Sequence, residues 1–230
     1  VTTIPYIAAQ DATATNAVHI PAGTQAAGYT TGVGDVPWSE ATFAAHNTPY
    51  PAIRIDQDPL ATDATADILD VESLAATISD IPGWLNRARA NYHKHVRPAQ
   101  RWPGIYCSMN NLDPAIAICT SNKLTNVPFW TAQPGNTKAF AINRVQTATG
   151  PYPCIGCQYA TDGRVDFDIF SQDWVSTMAG TAPVTTDVWH GVAVVMRDGT
   201  VAGEGKYWVV PIESTDQGVT FTPTGPGEAK

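Results

Sequence analysis

Eight short apolar runs, each six to eight residues long, space the first 180 residues of the chain: 5–12, 26–32, 52–58, 66–73, 103–108, 128–133, 154–160 and 165–170. Runs of this length read as buried strands rather than helices. Helix-compatible segments follow several of them. Ser39–His46 opens on Ser39, a good N-cap residue, and Ser79–His95 carries Trp84, Leu85, Ala88 and Tyr92 in an approximate helical stripe. Asn111–Cys119 and Gln172–Met178 are shorter segments of the same kind, whereas Ala12–Gln25 looks like loop. Strand and helix alternating eight times predict an α/β fold, a (β/α)8 barrel of the TIM type over residues 1–180. A doubly wound open sheet is the alternative.

The pattern changes after Met178. Gly180–Thr186 reads as a linker, and Val188–Met196 and Thr200–Val210 flank Asp198-Gly199, a hairpin signal. Residues 181–230 are therefore expected to form a small C-terminal β-hairpin extension. It is too short for a core of its own, so it must pack on the barrel, on a second copy in a homo-oligomer, or on a partner such as a virion protein.

Acids outnumber bases by 21 to 13, a balance that argues against nucleic acid as partner but not against a neutral glycan. No stretch approaches the ~18 apolar residues of a membrane span, and Val1–Gln10 lacks the features of a signal peptide. The four cysteines, Cys107, Cys119, Cys154 and Cys157, lack the paired spacing of a zinc site; structural thiols or disulfides are expected, with no metal and no cofactor.

The acids fall at strand ends. Successive residues of a strand face opposite ways, so in Ile68–Ser73 Asp70 and Glu72 share one face and Leu69 and Val71 the other. With the apolar face on the helices, the acids point into the barrel, near the strand end where barrel enzymes place their chemistry. Carboxylates at i and i+2 stand about 7 Å apart, and mutual repulsion raises one pKa, as a general acid requires. Asp166 and Asp168 repeat the geometry, Asp56 alternates with Arg54 and is open to pairing with it, and Asp11 ends the first run. These acids are expected to converge on one mouth. Asp58 and Asp63 read as turn or cap formers. Tyr29, Tyr106, Trp130 and Tyr159 stand near strand ends, where aromatic rings either stack on sugars or pack in the core; for Trp130 packing is the better reading.

In order, Asp11, Asp70-Val71-Glu72, Ile105-Tyr106, Trp130-Thr131-Ala132, Gln158-Tyr159 and Val165-Asp166-Phe167-Asp168-Ile169-Phe170 resemble the motifs of glycoside hydrolase family 25, the lysozymes (N-acetylmuramidases) of bacteria and bacteriophages. The likeness spans about residues 5–175 and looks closer still to glycoside-hydrolase-like proteins of actinobacteria and their phages. It implies Glu72 as general acid/base and Asp70 as its partner, with Asp11 and Asp166 as further catalytic carboxylates. It also implies Tyr106 and Tyr159 flanking the sugar; Asp56, Asp168, Gln158 and Trp130, at the same strand ends, are expected to complete the substrate site. The first strand lacks the family's G-x-D-V-S, Asp168 stands where the family has Asn, and the third strand carries Arg54 and Asp56 in place of an aromatic-rich pattern. Two functions follow as expectations. One is hydrolysis of peptidoglycan or a related amino-sugar polymer, with the cell-wall glycan as partner and an extracellular, cell-wall or virion location. The other is a non-catalytic barrel that serves in a virion or binds cell-surface glycan.

Overall fold

A computed structural model describes residues 4–32, 37–47, 49–61, 66–92, 101–147, 150–176, 189–196, 207–214, 222–223 and 228–229. The chain divides into two compact units, Val1–Ala179 and Gly180–Lys230.

In the first unit, eight strands close into a barrel in sequential order. They are β1 (Tyr6–Ala12), β2 (Gln25–Tyr29), β3 (Ile53–Asp56), β4 (Ile68–Val71), β5 (Gly104–Ser108), β6 (Phe129–Ala132), β7 (Cys154–Thr161) and β8 (Asp166–Ser171). Each lies within a residue or two of an apolar run in the sequence. The helices are α1 (Glu40–Ala45), α2 (Ile81–Tyr92), α3 (Met109–Ser121), α4 (Lys138–Thr147) and α5 (Gln172–Val175). Ser39 caps α1 by accepting from the Thr42 amide at 3.1 Å. Helix α4 has no counterpart in the sequence reading, and Ala14–His19 forms a 3-10 turn where loop is expected.

The strict eightfold alternation of strand and helix is corrected. Strands β1 to β7 pair in parallel, but β8 runs antiparallel to both β7 and β1. A parallel pair needs a crossover of a dozen or more residues, and only Asp162–Val165 separates β7 from β8. The Asp162 carboxylate accepts from the amides of Arg164 (2.8 Å) and Val165 (3.0 Å), and Gly163 takes φ 84°. This tight turn reverses the chain. Nor is there a helix among the described residues between β3 and β4.

The barrel interior is filled by Ala9, Ala27, Ile53, Ile55, Ile68, Tyr106, Trp130 and Phe170. Trp130 packs edge-on against Tyr106 (4.7 Å between centroids) and Phe170 (4.8 Å). Gly156 makes room for them: a Cβ there would lie 2.5 Å from the Phe170 ring. Outside, Leu69, Val71, Ile105, Cys107 and Phe129 pack on Trp84, Leu85 and Leu112 of the helices. Beneath β4, the buried Asp67 pairs with the buried Arg101 at 3.1 Å, and Arg101 also donates to the carbonyls of Pro51, Ala52 and Val175. All four cysteines are buried free thiols, and burial pushes Cys107 and Cys157 up to about 12. They are inert packing groups, not a disulfide framework. No helix among the described residues is long and apolar enough to cross a membrane.

In the second unit, β9 (Trp189–Met196) and β10 (Tyr207–Ser214) pair antiparallel, and β11 (Thr222–Pro223) and β12 (Glu228–Ala229) add to β10. The linker Gly180–Thr186, the Asp198-Gly199 turn, Asp63 and the proposed strand start at Thr200 lie outside the described residues.

Candidate active site

The reversal of β8 decides which acids meet. In an antiparallel strand the start, not the end, lies at the barrel mouth. Asp166 therefore stands directly opposite Asp11 of β1, with Asp168 one pleat deeper opposite Ala9. A parallel β8 would have carried Asp166 towards the floor. Across the barrel, Asp70 of β4 is in register with Tyr106 of β5, and Glu72 follows just past the strand end.

These carboxyls differ in depth. Asp11, Asp70 and Asp168 are 4%, 2% and 1% exposed, Asp166 is half-buried, and Glu72 opens to solvent at the rim. Asp70 accepts from the Gln57 amide at 3.0 Å through Oδ2, while Oδ1 has no hydrogen-bond partner. Burial, helped by the charge of Glu72 and opposed by the Gln57 bond, pushes Asp70 up to about 7. Glu72 is also raised: surrounding protein and the charge of Asp166 outweigh the pull of the nearby Tyr106 hydroxyl. Asp166 is raised by burial against hydrogen bonds from Thr161 and Gln158. Asp11 and Asp168 are diagonal neighbours on the inward face of the β1–β8 pair, and burial and the charges of neighbouring acids raise both.

Below them, Trp130 Nε1 donates to Asp168 Oδ1 at 3.0 Å, and the Tyr106 hydroxyl donates to Gln158 Oε1. At 1% exposure, Trp130 is a core residue beneath the mouth rather than a sugar platform. Tyr106, at 9%, shows only its hydroxyl end to the acids. Beside Asp70, a groove of about 500 Å³ is lined by Thr31, Gly32, Pro37, Gln57, Pro59 and Leu74, among others. Leu74 is fully exposed at φ 72°, in the turn that begins at Glu72.

Two expected site residues face elsewhere. The sequence places Asp56 at the mouth, but in β3 the inward face is apolar: Ile53 and Ile55 fill the barrel. Asp56 therefore points outward, accepting from Trp84 Nε1 of α2 at 2.9 Å and from the Thr31 hydroxyl. Nor does Arg54 neutralise it, because Arg54 forms a fork to Glu40 of α1 (2.8 and 2.6 Å) over the Phe43 ring. The sequence also places Gln158 and Tyr159 together against the sugar. Adjacent strand residues face opposite ways, and only Gln158 points inward; Tyr159 packs outside with Phe140 and Ile142 of α4. Asp58 is a turn former as expected, accepting from the Leu60 amide at 2.9 Å.

Two more residues join the site: Gln57, which the sequence did not single out, and Tyr29, one of the strand-end aromatics. Gln57 continues the inward parity of Ile53 and Ile55, which is the signal that would have found it. Tyr29 ends β2 close enough to Asp11, Asp70, Glu72 and Asp166 for their charges to raise its hydroxyl, after burial itself. Among the described residues no group of His, Cys, Asp and Glu has the geometry of a metal site. Chemically, the arrangement offers a solvent-open acid with a raised pKa, a buried partner carboxyl, and further acids with no cation among the groups that shift them.

Comparison with protein-family models, with curated proteins and with solved structures finds no match to any of them.

Proposed function

We propose that the chain is a glycoside hydrolase of lysozyme (N-acetylmuramidase) type, acting on peptidoglycan or a related amino-sugar polymer by carboxylate general acid/base catalysis. The scaffold is read as a (β/α)8-type barrel with a reversed last strand. One observation carries the proposal: Asp70 and Glu72 meet Asp11 and Asp166 at one mouth, and Arg54, the cation nearest in sequence to the acids of β3 and β4, is taken by Glu40. In this reading Glu72, raised and open to solvent, protonates the leaving glycosidic oxygen. Asp70 stabilises the charge that develops at the anomeric carbon, or orients the substrate's acetamido group to do so. Asp11, Asp166, Gln57 and Tyr29 line the bound sugar.

A specific observation favours the second reading, a non-catalytic barrel in a virion or on a cell surface. The aromatic residues expected to hold a sugar are withdrawn, Trp130 into the core and Tyr159 to the outer face. Release of reducing ends from purified peptidoglycan separates the two. The hydrolase reading expects release by the wild type and loss in Glu72→Gln. A folded wild type that releases nothing from several cell-wall types overturns it.

A further inference from the structure

Asp168 is 1% exposed, yet only one of its oxygens is accounted for. Trp130 Nε1 holds Oδ1 at 3.0 Å, while Oδ2 receives no donor from any amide, hydroxyl or side-chain nitrogen. Diagonally across the β1–β8 pair, on the same inward face, stands the carboxyl of Asp11, itself 4% exposed. A buried carboxylate oxygen without a donor is costly, and two carboxylates in contact cannot both stay ionised. One proton between them removes both costs.

We propose that Asp168 is a positioning residue: it shares a single proton with Asp11 across the β1–β8 seam, and so holds the Asp11 carboxyl in one orientation towards the mouth. Trp130 anchors the chain of contacts from the core, so the orientation of Asp11 is set by residues that no ligand touches. The pair carries one negative charge where two would stand. What surrounds it reinforces the proton. Asp166 and Asp70 face it from β8 and β4, Tyr29 and Tyr106 from β2 and β5, and the charge of Asp168 raises Cys157 and Tyr159 of β7 in turn. None of these is a cation that would draw the proton off.

The role of Asp11 towards a sugar rests on the hydrolase reading; the proton does not. The test is an infrared titration of the carboxyl groups in the full chain, wild type against Asp168→Asn, Asp11→Asn and Asp70→Asn. The wild type is expected to show one protonated carboxyl that outlasts Asp70 as pH rises, and Asp70→Asn to keep it. In Asp168→Asn and Asp11→Asn the remaining acid gains an amide donor and loses a like charge. Its ionisation is then expected to move down by at least about one pH unit, a tenfold change in its acid constant. An upper ionisation that stays in place in Asp168→Asn overturns the shared proton, and Asp11→Asn decides the matter if the first variant does not fold. A wild type inactive on cell walls with the expected titration sinks the hydrolase reading alone. An active wild type whose upper ionisation does not move in either variant sinks the pair alone.

Discussion

Two sets of buried carboxyls in the barrel have opposite surroundings. Under β4, Asp67 meets Arg101, which also donates to backbone carbonyls. At the mouth, Asp11, Asp70 and Asp168 are buried nearly as completely, but their neighbours are other acids, an indole, an amide and phenols. A buried ion pair that is fully hydrogen-bonded is an element of construction: it holds charge without requiring a proton. Buried acids without a cation can only lower their cost by protonation, and so they respond to pH and to ligands. The same residue type is thus held by a cation in one place and open to protonation in the other.

Four experiments press on this contrast. The largest effect is expected from Glu72→Gln, which removes the exchangeable proton and keeps the shape. On the hydrolase reading, release of reducing ends from peptidoglycan should fall by at least about 100-fold with an unchanged circular dichroism spectrum. Next is Arg101→Met, which removes the guanidinium that faces the buried Asp67 carboxylate. A loss of roughly 3–5 kcal/mol in urea unfolding is expected, and a loss near zero would show that Asp67 needs no cation.

The third is the pH dependence of stability. Asp70 is raised to about 7 in the folded chain from an unfolded value near 4. Between those values the native state holds the extra proton. Its contribution is therefore fully present below about pH 4 and is lost as pH rises towards 7, at about 1.4 kcal/mol per pH unit. Asp11 and Asp168 act in the same direction. Urea unfolding measured from pH 4 to 8 should show stability falling with pH, and Asp70→Asn should flatten the slope by one proton. The smallest effect is expected at Leu74, where a left-handed backbone carries a branched, exposed side chain. Leu74→Gly should gain up to about 1 kcal/mol, read as a rise in melting temperature.

The strands were legible because burial on both faces leaves apolar runs with sharp ends, and β1 to β8 follow them closely. Direction was harder. Asp162-Gly163 between two apolar runs is the same hairpin signal that marks Asp198-Gly199, and counting the residues between β7 and β8 would have excluded a parallel crossover. For Asp70 and Glu72, alternation alone fixed the inward face. It failed at β3, because which face is inward depends on what fills the barrel at that level: Ile53 and Ile55 occupy the centre, and α1 and α2 supply partners outside for Arg54 and Asp56. Helix α4 was missed because Phe140, Ala141, Ile142 and Val145 make only a faint stripe. The pairing of Asp11 with Asp168 is a contact between distant parts of the chain, and no local pattern encodes it.

The seam between β1 and β8 has a consequence for how the protein comes into being. Strands β7 and β8 are joined by a tight turn and can associate locally, within microseconds in isolated hairpins. Pairing β8 with β1 instead closes a loop that contains nearly the whole barrel, at a cost in chain entropy that only the complete sheet repays. Asp11 lies on one side of that closure, and Asp166 and Asp168 on the other. The complete acidic mouth therefore needs the closed ring. Asp11 meets Asp166 and Asp168 only while β1 pairs with β8, so the protonation of these carboxyls reports on whether the ring is shut.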